Sequence, residues 1–544
     1  MMMTEPAVLQ HLIDIGIALS VERDTTLLLE RILKSAQALT QADGGTIYSV
    51  TPDKSLKFET LINNSLKLHL GGSSGQPAPF PSIPIYVEGE VNRHAIVAIA
   101  AAEGDVIHIP DAYASGQYDL SAARAMDQRT GYHTQSVLTV PMKNHEGELN
   151  GVLQLINATV EGQVSVFSAQ QIEWVRSLAS LAAVALTNKQ LIEDMEALFQ
   201  GIARLIAKAI DEKSPYTAGH CKRVPELTMM LANAVHRHNF GPLADFVLTE
   251  ADRHELSVAG WLHDCGKIAT PEYVMDKASK LQTIFDRIAL VDAKIEIAKR
   301  DFELSLAGPL SLATYLQDQA QVELLQQQLA HGLAALDQER EFLRKANIGG
   351  EFMDKSDQQR VADFGRQQQI HIAGEEQNLL SDNEIYNLSI ARGTLTPEER
   401  QIINRHMDIT VDMLESLTFP KHLQRVPEFA CGHHEKMDGS GYPKGLTKEQ
   451  MSIPARMMAI ADIFEALTAC DRPYKEGKPL SECLAIMGRM TQNQHIDPDL
   501  FDIFIDQKVY LQYAEQFLKP TQIDEVDLNR IPGYLPPERR YKAS

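Results

Sequence analysis

In the run ARMMAIADIFEALTACDRPYK, Ala455 to Lys475, Asp462 stands inside a largely apolar helical stretch. Burying an unpaired charge is strongly disfavoured, so a fold that uses this helix must bring a cation to Asp462, either a metal ion or an arginine. That demand reaches across the chain. Four upstream segments carry the side chains that answer it with a metal. EKSPYTAGHCKRV (Glu212 to Val224) approaches, through Pro and Gly, a helix that displays His220. LHDCGKI (Leu262 to Ile268) supplies adjacent His263 and Asp264, with Lys267 three residues on and hence on the side of the Asp. TLTPEERQIINRHMDITVDML (Thr394 to Leu414) predicts a helix capped at Thr396-Pro397-Glu398 and carrying His406. CGHHEKMDGSGYP (Cys431 to Pro443) gives His433 and His434 before a Gly-rich turn. Consecutive helical residues point about 100° apart, so on a helix His433 and His434 could address different metals of one cluster.

Each segment alone has an ordinary reading. A single His-Asp pair is usually solvated, and a histidine on a half-apolar helix usually bonds a carbonyl. Their joint occurrence carries the inference, because imidazole and carboxylate are the ligand types suited to Fe, Mn, Zn and similar divalent ions, and one Asp can bridge two of them.

The chain is long enough for more than the domain these segments build. At 544 residues it exceeds what one core organises, so two or three domains are expected. Hydrophobic residues make up 44% and charged residues 23%, the balance of a folded globular protein. Lys plus Arg number 51 against 73 Asp plus Glu, a net charge of −22, which opposes sequence-independent contact with a large nucleic acid. Five cysteines show no CxxC spacing, no secretory leader is expected, and the longest small-apolar stretch, Leu178 to Leu186, is too short to span a bilayer. A cytoplasmic protein without a membrane partner is the expectation.

Residues 8 to 167 mix helical spacing, as in LLLERILKSAQALTQ, with strand signals, as in GGTIYSV and TQSVLTVPM. GELNGVLQLINA reads as a hairpin arm completing an antiparallel sheet. The run IHIPDAYASGQYDLSAARAMDQRTGYHTQSVLTVPM, Ile107 to Met142, resembles the GAF domains that precede cyclic-nucleotide enzymes. The resemblance implies an α+β sensor with a small-molecule ligand, or a dimerisation module. Cyclic-nucleotide-binding members carry an Asn-Lys pair followed by a spaced Phe and Asp, whereas this chain has Asn157-Ala158, Phe167 and Gln171. Residues 168 to 210, rich in Leu, Ala, Ile, Gln and Glu and free of Pro, predict a connecting signalling helix able to pair with its copy in a homodimer.

The order His220, His263-Asp264 with Lys267, His406, His433-His434, Asp462 resembles the HD-GYP family, whose naming tripeptide is Gly441-Tyr442-Pro443 here. The resemblance covers residues 200 to 280 and 393 to 515. It implies a multidomain chain: the GAF domain, then an all-α HD-superfamily domain in two parts, 211–280 and 393–515, with a tail over 516–544. It also implies a phosphodiesterase that opens a cyclic dinucleotide, cyclic di-GMP or cyclic GMP-AMP. In that family pattern His220, His263, Asp264 and Asp462 hold one ion, and Asp264, His406, His433 and His434 a second. Iron is implied, with manganese the alternative. Asp264 and Lys267 are the catalytic pair; Lys267, Arg472 and Lys475 face the phosphates, and Tyr442 shapes the pocket. Some members place a third metal on a glutamate four residues before the first histidine, where this chain has Tyr216, so two ions are expected. Residues 281 to 392 form an insertion, predicted as one or two long helices in a hairpin or dimer contact.

Overall fold

The structure is a computed structural model and describes residues 5–22, 24–214, 219–349, 352–470 and 477–536. It divides into two compact units, Met1–Phe199 and Gln200–Ser544.

The first unit is built on an eight-stranded antiparallel sheet. Its main path runs Leu68–Gly71, Ser55–Asn63, Ala42–Val50, Leu149–Val160, Val137–Lys143 and Ile107–Ile109. The period-2 alternation of side chains sorts neighbours on one strand to opposite faces. Ile47 and Leu153 go to a core with Leu28, Ile32 and Leu33 of the helix Thr25–Thr40, while Tyr48 and Val152 go to a second core with Val97 and Ala101 of the helix Ile96–Glu103. Asp24 caps the first of these helices, accepting from the Thr26 and Leu27 amides at 2.7 and 3.1 Å, which satisfies two of its orphan donors. The hairpin arm expected at Gly147 is present, with Gly147 at φ 83°. Of the residues 168 to 210, all but the first lie within one helix, Ala169–Lys213. In the first unit its Val175, Leu178, Ala179, Ala182 and Ala183 are buried in the sheet core.

The second unit is helical apart from one two-stranded sheet. The helix Ile453–Thr468 is almost wholly buried, as its apolar run predicts, and its Phe464 packs edge-on against Phe504 and Tyr513, ring centroids 5.1 and 5.7 Å apart. The insertion has its own core. Helices Ile288–Tyr315 and Gln319–Asn347 form the expected hairpin, with Val291, Ile295 and Ala298 buried with Leu336 and Leu343, and ion pairs such as Lys299–Asp337 at 2.9 Å alongside. A β-hairpin, Gln369–Ile372 with Glu375–Asn378, departs from the all-helical expectation. Ala373 and Gly374 make its two-residue turn with φ of 56° and 86°, the backbone a tight hairpin needs, and Ile370 anchors it in the insertion core.

Candidate metal centre

Three of the site histidines sit where a helix begins or has just ended, and this fixes their rings. His220 is the first residue of the helix His220–His236, entered through Gly219 at φ 83°. The helix Glu250–Leu262 stops just before His263, and a 3₁₀ turn, Cys265–Ala269, follows Asp264. With three residues per 3₁₀ turn, Lys267 stands directly over Asp264, and its Nζ lies 2.5 Å from Asp264 Oδ2. The turn is pressed against the segment carrying His406: a Cβ on Gly266 would lie 2.0 Å from the His406 carbonyl oxygen, so only glycine fits. The Gly266 amide donates to Thr410 Oγ1 at 3.0 Å.

The helix predicted over Thr394 to Leu414 is two helices, Pro397–Asn404 and His406–Glu415, so His406 opens the second rather than riding mid-helix. His433 and His434 lie in a turn beyond the helix Val426–Cys431. The helical geometry that assigned them to different metals therefore does not apply, and both fall in one ligand group. Past them, the Gly-rich loop folds over Glu435, whose carboxylate accepts from the Lys444 and Leu446 amides at 2.7 and 2.9 Å. Gly441 again has no room for a Cβ, which would meet Glu435 Cα at 2.5 Å.

Two four-residue groups result, each with one ligand atom per residue and all within 4.8 Å of one another: His220, His263, Asp264 and Asp462; and Asp264, His406, His433 and His434. Asp264 belongs to both. Its Oδ2 faces His220 Nε2 and His263 Nε2 at 3.2 Å each, and its Oδ1 faces His406 Nε2 at 3.3 Å and His433 Nε2 at 4.0 Å. His220 Nε2 is also 3.4 Å from Asp462 Oδ1.

Hydrogen bonds on the far side of each ring set its tautomer. His263 Nδ1 donates to the Gly260 carbonyl at 2.7 Å, His406 Nδ1 to Ile403 at 2.5 Å and His433 Nδ1 to Ala430 at 2.6 Å. With the proton held on Nδ1, each Nε2 turns its lone pair inward. Those three Nε2 atoms and Asp264 Oδ1 are buried without a hydrogen-bond partner. Orphaned buried acceptors of this kind are costly unless a cation meets them, and an imidazole and carboxylate set fits a divalent transition metal. Burial, then the neighbouring His263, pushes the His433 ring down to about 4, and burial with His433 and His406 holds His434 well below its ordinary value, so both present unprotonated nitrogens. Asp264 is held far below the carboxylate range: burial opposes this, but Lys267 and His263 outweigh it.

Glu465 and Arg223, which the sequence reading missed, complete the centre. Glu465, one turn after Asp462, accepts from His220 Nδ1 at 2.6 Å and from Arg223 Nε at 2.7 Å. Burial works against its charge, yet His220 and Arg223 bring it down to about 2, and in return Glu465 overcomes burial to push His220 up to about 10. A ring so gripped is oriented and more basic. The signal was available, since the rule that marked Asp462 in an apolar run applies equally to Glu465. Tyr442 stacks on His434, ring centroids 4.9 Å apart and planes at 21°. Arg472 and Lys475 lie outside the described residues.

Comparison with known proteins follows this division. The HD domain family matches residues 380–500, and the GAF domain family matches residues 24–186. The chain thus carries a GAF domain followed by an HD domain. A probable cyclic di-GMP phosphodiesterase of Vibrio cholerae is 35% identical over 137 residues, 24% of this chain and 31% of that protein. A cyclic di-GMP phosphodiesterase of Thermotoga maritima is 37% identical, over 21% of this chain and 30% of that protein. The 3'3'-cGAMP-specific phosphodiesterase 3 of Vibrio cholerae is 40% identical, over 20% of this chain and 23% of that protein. The chain spans under a third of the length of these curated relatives. Among solved structures, the GAF domain of an Acinetobacter phosphoenolpyruvate-protein phosphotransferase covers 35% of this chain and 98% of its own at 13% identity and a TM-score of 0.25.

Proposed function

We propose that the chain is an HD-GYP phosphodiesterase that opens cyclic di-GMP to linear pGpG, with GMP as the alternative end product. One observation carries the reading: two four-ligand groups share the single carboxylate of Asp264, with inward imidazole nitrogens that lack any other partner. In this reading His220, His263, Asp264 and Asp462 hold one divalent ion and Asp264, His406, His433 and His434 the other, iron being preferred and manganese the alternative. Two bound ions supply a water activated at neutral pH and neutralise charge on the phosphorane-like transition state.

The protein side of the reaction is positioning. The Nδ1 to carbonyl bonds hold the rings still, so little reorganisation accompanies the reaction. Lys267, with a side chain 24% exposed and its Nζ 2.5 Å from Asp264 Oδ2, is assigned to a phosphate oxygen. Its charge is secure: burial opposes it, but Asp264 and Asp462 raise its proton affinity above the ordinary value. Arg472 and Lys475 are assigned to the same phosphates. Tyr442, stacked on His434, walls the pocket. The water oxygen bonds to phosphorus as the bond to the 3′ oxygen breaks, and that oxygen gains a proton to end as a hydroxyl beside a new 5′-phosphate. Asp211 accepts from the Gly219 amide through Oδ2 at 3.0 Å, and its Oδ1 is buried without a hydrogen-bond partner; Tyr216 lies outside the described residues, and the reading keeps two ions.

Cyclic GMP-AMP is the second substrate reading, supported by the similarity to a relative named for it. A small-molecule input to the GAF domain belongs to the proposal as well. So do a cytoplasmic location and a homodimer. Among the described residues, no helix is long and apolar enough to cross a membrane.

The test is incubation of the full chain, loaded with Fe or Mn under reducing conditions, with cyclic di-GMP and cyclic GMP-AMP in parallel, followed by separation of products. Linear dinucleotide formed by wild type and lost with Asp264→Ala supports the reading. Intact substrates with either metal would overturn it and leave a non-hydrolytic cyclic dinucleotide receptor.

A further inference from the structure

The insertion, residues 281 to 392, leaves the HD domain and returns to it at neighbouring points, and a buried ammonium sits at the join. Lys277, whose side chain is 1% exposed, donates to both carboxylate oxygens of Glu399 at 2.9 and 2.8 Å and to Asn387 Oδ1 at 3.0 Å. An ammonium has three N–H donors, and all three are spent here. The backbone is tied at the same place, the Lys277 carbonyl accepting from Thr394 Oγ1 at 2.8 Å. Lys277 and Glu399 flank the insertion in sequence, but Asn387 belongs to it. Asn387 lies on the helix Asp382–Leu388, and its Nδ2 donates to the Asn383 carbonyl at 2.9 Å, which leaves Oδ1 to face the ammonium. That helix is fixed to the rest of the insertion. Its Ile385 and Leu388 are buried in the insertion core with Val291 and Ile295, and its Glu384 accepts from Lys294 of the long hairpin at 3.0 and 2.8 Å.

On the other side of Lys277 the path runs to a metal ligand. Glu399 closes the first turn of the helix Pro397–Asn404, accepting from the Thr396 amide at 2.8 Å while Thr396 Oγ1 accepts from the Glu399 amide at 3.2 Å. Tyr386, beside Asn387, adds a second tie by donating to the Glu398 carboxylate at 2.9 Å. The helix has eight residues, about two turns, and its last turn presents the Ile403 carbonyl. That carbonyl accepts from His406 Nδ1 at 2.5 Å, and His406 Nε2 faces Asp264 Oδ1. We propose that Lys277 and Asn387 are positioning residues for His406, through which the insertion sets the ligand group Asp264, His406, His433 and His434. The inference deepens the two-ion reading above and rests on it. Burial makes the link firm. An ammonium so enclosed parts from its carboxylate only at a large cost, so Glu399 and the helix it caps follow Lys277 and Asn387 as one body. The other group, His220, His263, Asp264 and Asp462, shares only Asp264 with this path, so the effect falls on one ion.

Calorimetric titration of the full chain with manganese tests this by a readout that needs no catalysis. Wild type is expected to bind two ions, and His406→Ala to identify the one that depends on His406. Asn387→Ala, which leaves the Lys277–Glu399 pair in place, should weaken that ion on the order of tenfold. Lys277→Met keeps the stem, removes the charge and should weaken the same ion on the order of 100-fold. The other ion should bind as in wild type. Lys277→Met combined with Glu399→Gln should bind no more weakly than Lys277→Met alone, since both act through one link. Unchanged binding of both ions in the variants would overturn the proposal. So would equal weakening of both, which would make the link a support of the whole domain. Should Lys277→Met fail to fold, Asn387→Ala decides alone, and unchanged binding there overturns the proposal. A wild type that binds two ions but hydrolyses neither cyclic dinucleotide would overturn the phosphodiesterase reading and leave the titration to decide this one. A wild type that binds no manganese would overturn both.

Discussion

Two buried polar constellations, one in each unit, use similar side chains to opposite ends. In the GAF domain Asn157 is 2% exposed and every hydrogen-bonding site on its amide is taken. Its Oδ1 accepts from the Gln135 and Ser136 amides at 2.7 and 3.2 Å, and its Nδ2 donates to the His133 carbonyl and Tyr132 Oη at 2.7 and 2.9 Å. Gln171, at another position where cyclic-nucleotide-binding relatives carry a polar partner, bonds the Thr40 carbonyl and the Ser168 amide. The Asn157 amide closes a loop and has nothing left for a ligand. In the HD domain the far side of each ring is equally well held, but the near side is not: Nε2 of His263, His406 and His433 and Oδ1 of Asp264 have no partner. The lesson is that burial and hydrogen bonding alone do not mark a site. What marks it is satisfaction on one side and convergence of unspent lone pairs on the other.

The comparison breaks most visibly at Asp264, the residue common to both ligand groups. Asp264→Ala should lower phosphodiester hydrolysis by on the order of 10³-fold or more, because both groups that would hold an ion lose their shared carboxylate. Initial rates with cyclic di-GMP check this. A member of only one group should do less. His433→Ala is expected to lower the rate roughly 100-fold and to release mainly one ion, read by elemental analysis after dialysis. Glu465→Gln touches no ion and acts through His220. Loss of the carboxylate loosens that ring and lowers its basicity, so metal affinity should fall roughly 10–100-fold with the fold retained, as titration with Mn would show.

These three variants also divide what could be read in the sequence from what could not. Asp264 and the six other ligand candidates were legible because each sits in a short segment whose composition is hard to explain otherwise, Asp462 above all. Glu465 obeys the same burial logic, but its partners His220 and Arg223 are over two hundred residues away, and nothing local announces them. The break at Arg405 and the turn at His433 were hidden as well. Local propensity there is helical, and the departures are imposed by packing, such as the 3₁₀ turn at Gly266 pressed onto the His406 carbonyl. The β-hairpin of the insertion was missed because its strands are only four residues each, the second, EEQN, wholly polar, and its turn puts Ala373 at positive φ, a conformation alanine does not advertise. The sheet-and-helix pattern of the GAF domain, resting on alternation and helical spacing over long stretches, was the most legible part.

The smallest effect lies on the GAF side. Asn157→Ala should destabilise the first unit by about 1–3 kcal/mol, the cost of leaving several buried backbone groups unpaired. Chemical denaturation followed by far-UV circular dichroism reads it. Metal content should not change, and a loss of metal would break the contrast between a structural constellation and a ligand-binding one.

The most direct test of the centre is metal content per chain, measured on protein purified without oxygen, for wild type beside Asp264→Ala and His433→Ala. A carboxylate shared by two ligand groups predicts about two ions in wild type, about one in His433→Ala and close to none in Asp264→Ala. An Asp264→Ala protein that is folded and keeps its full complement of metal would contradict the shared-carboxylate centre.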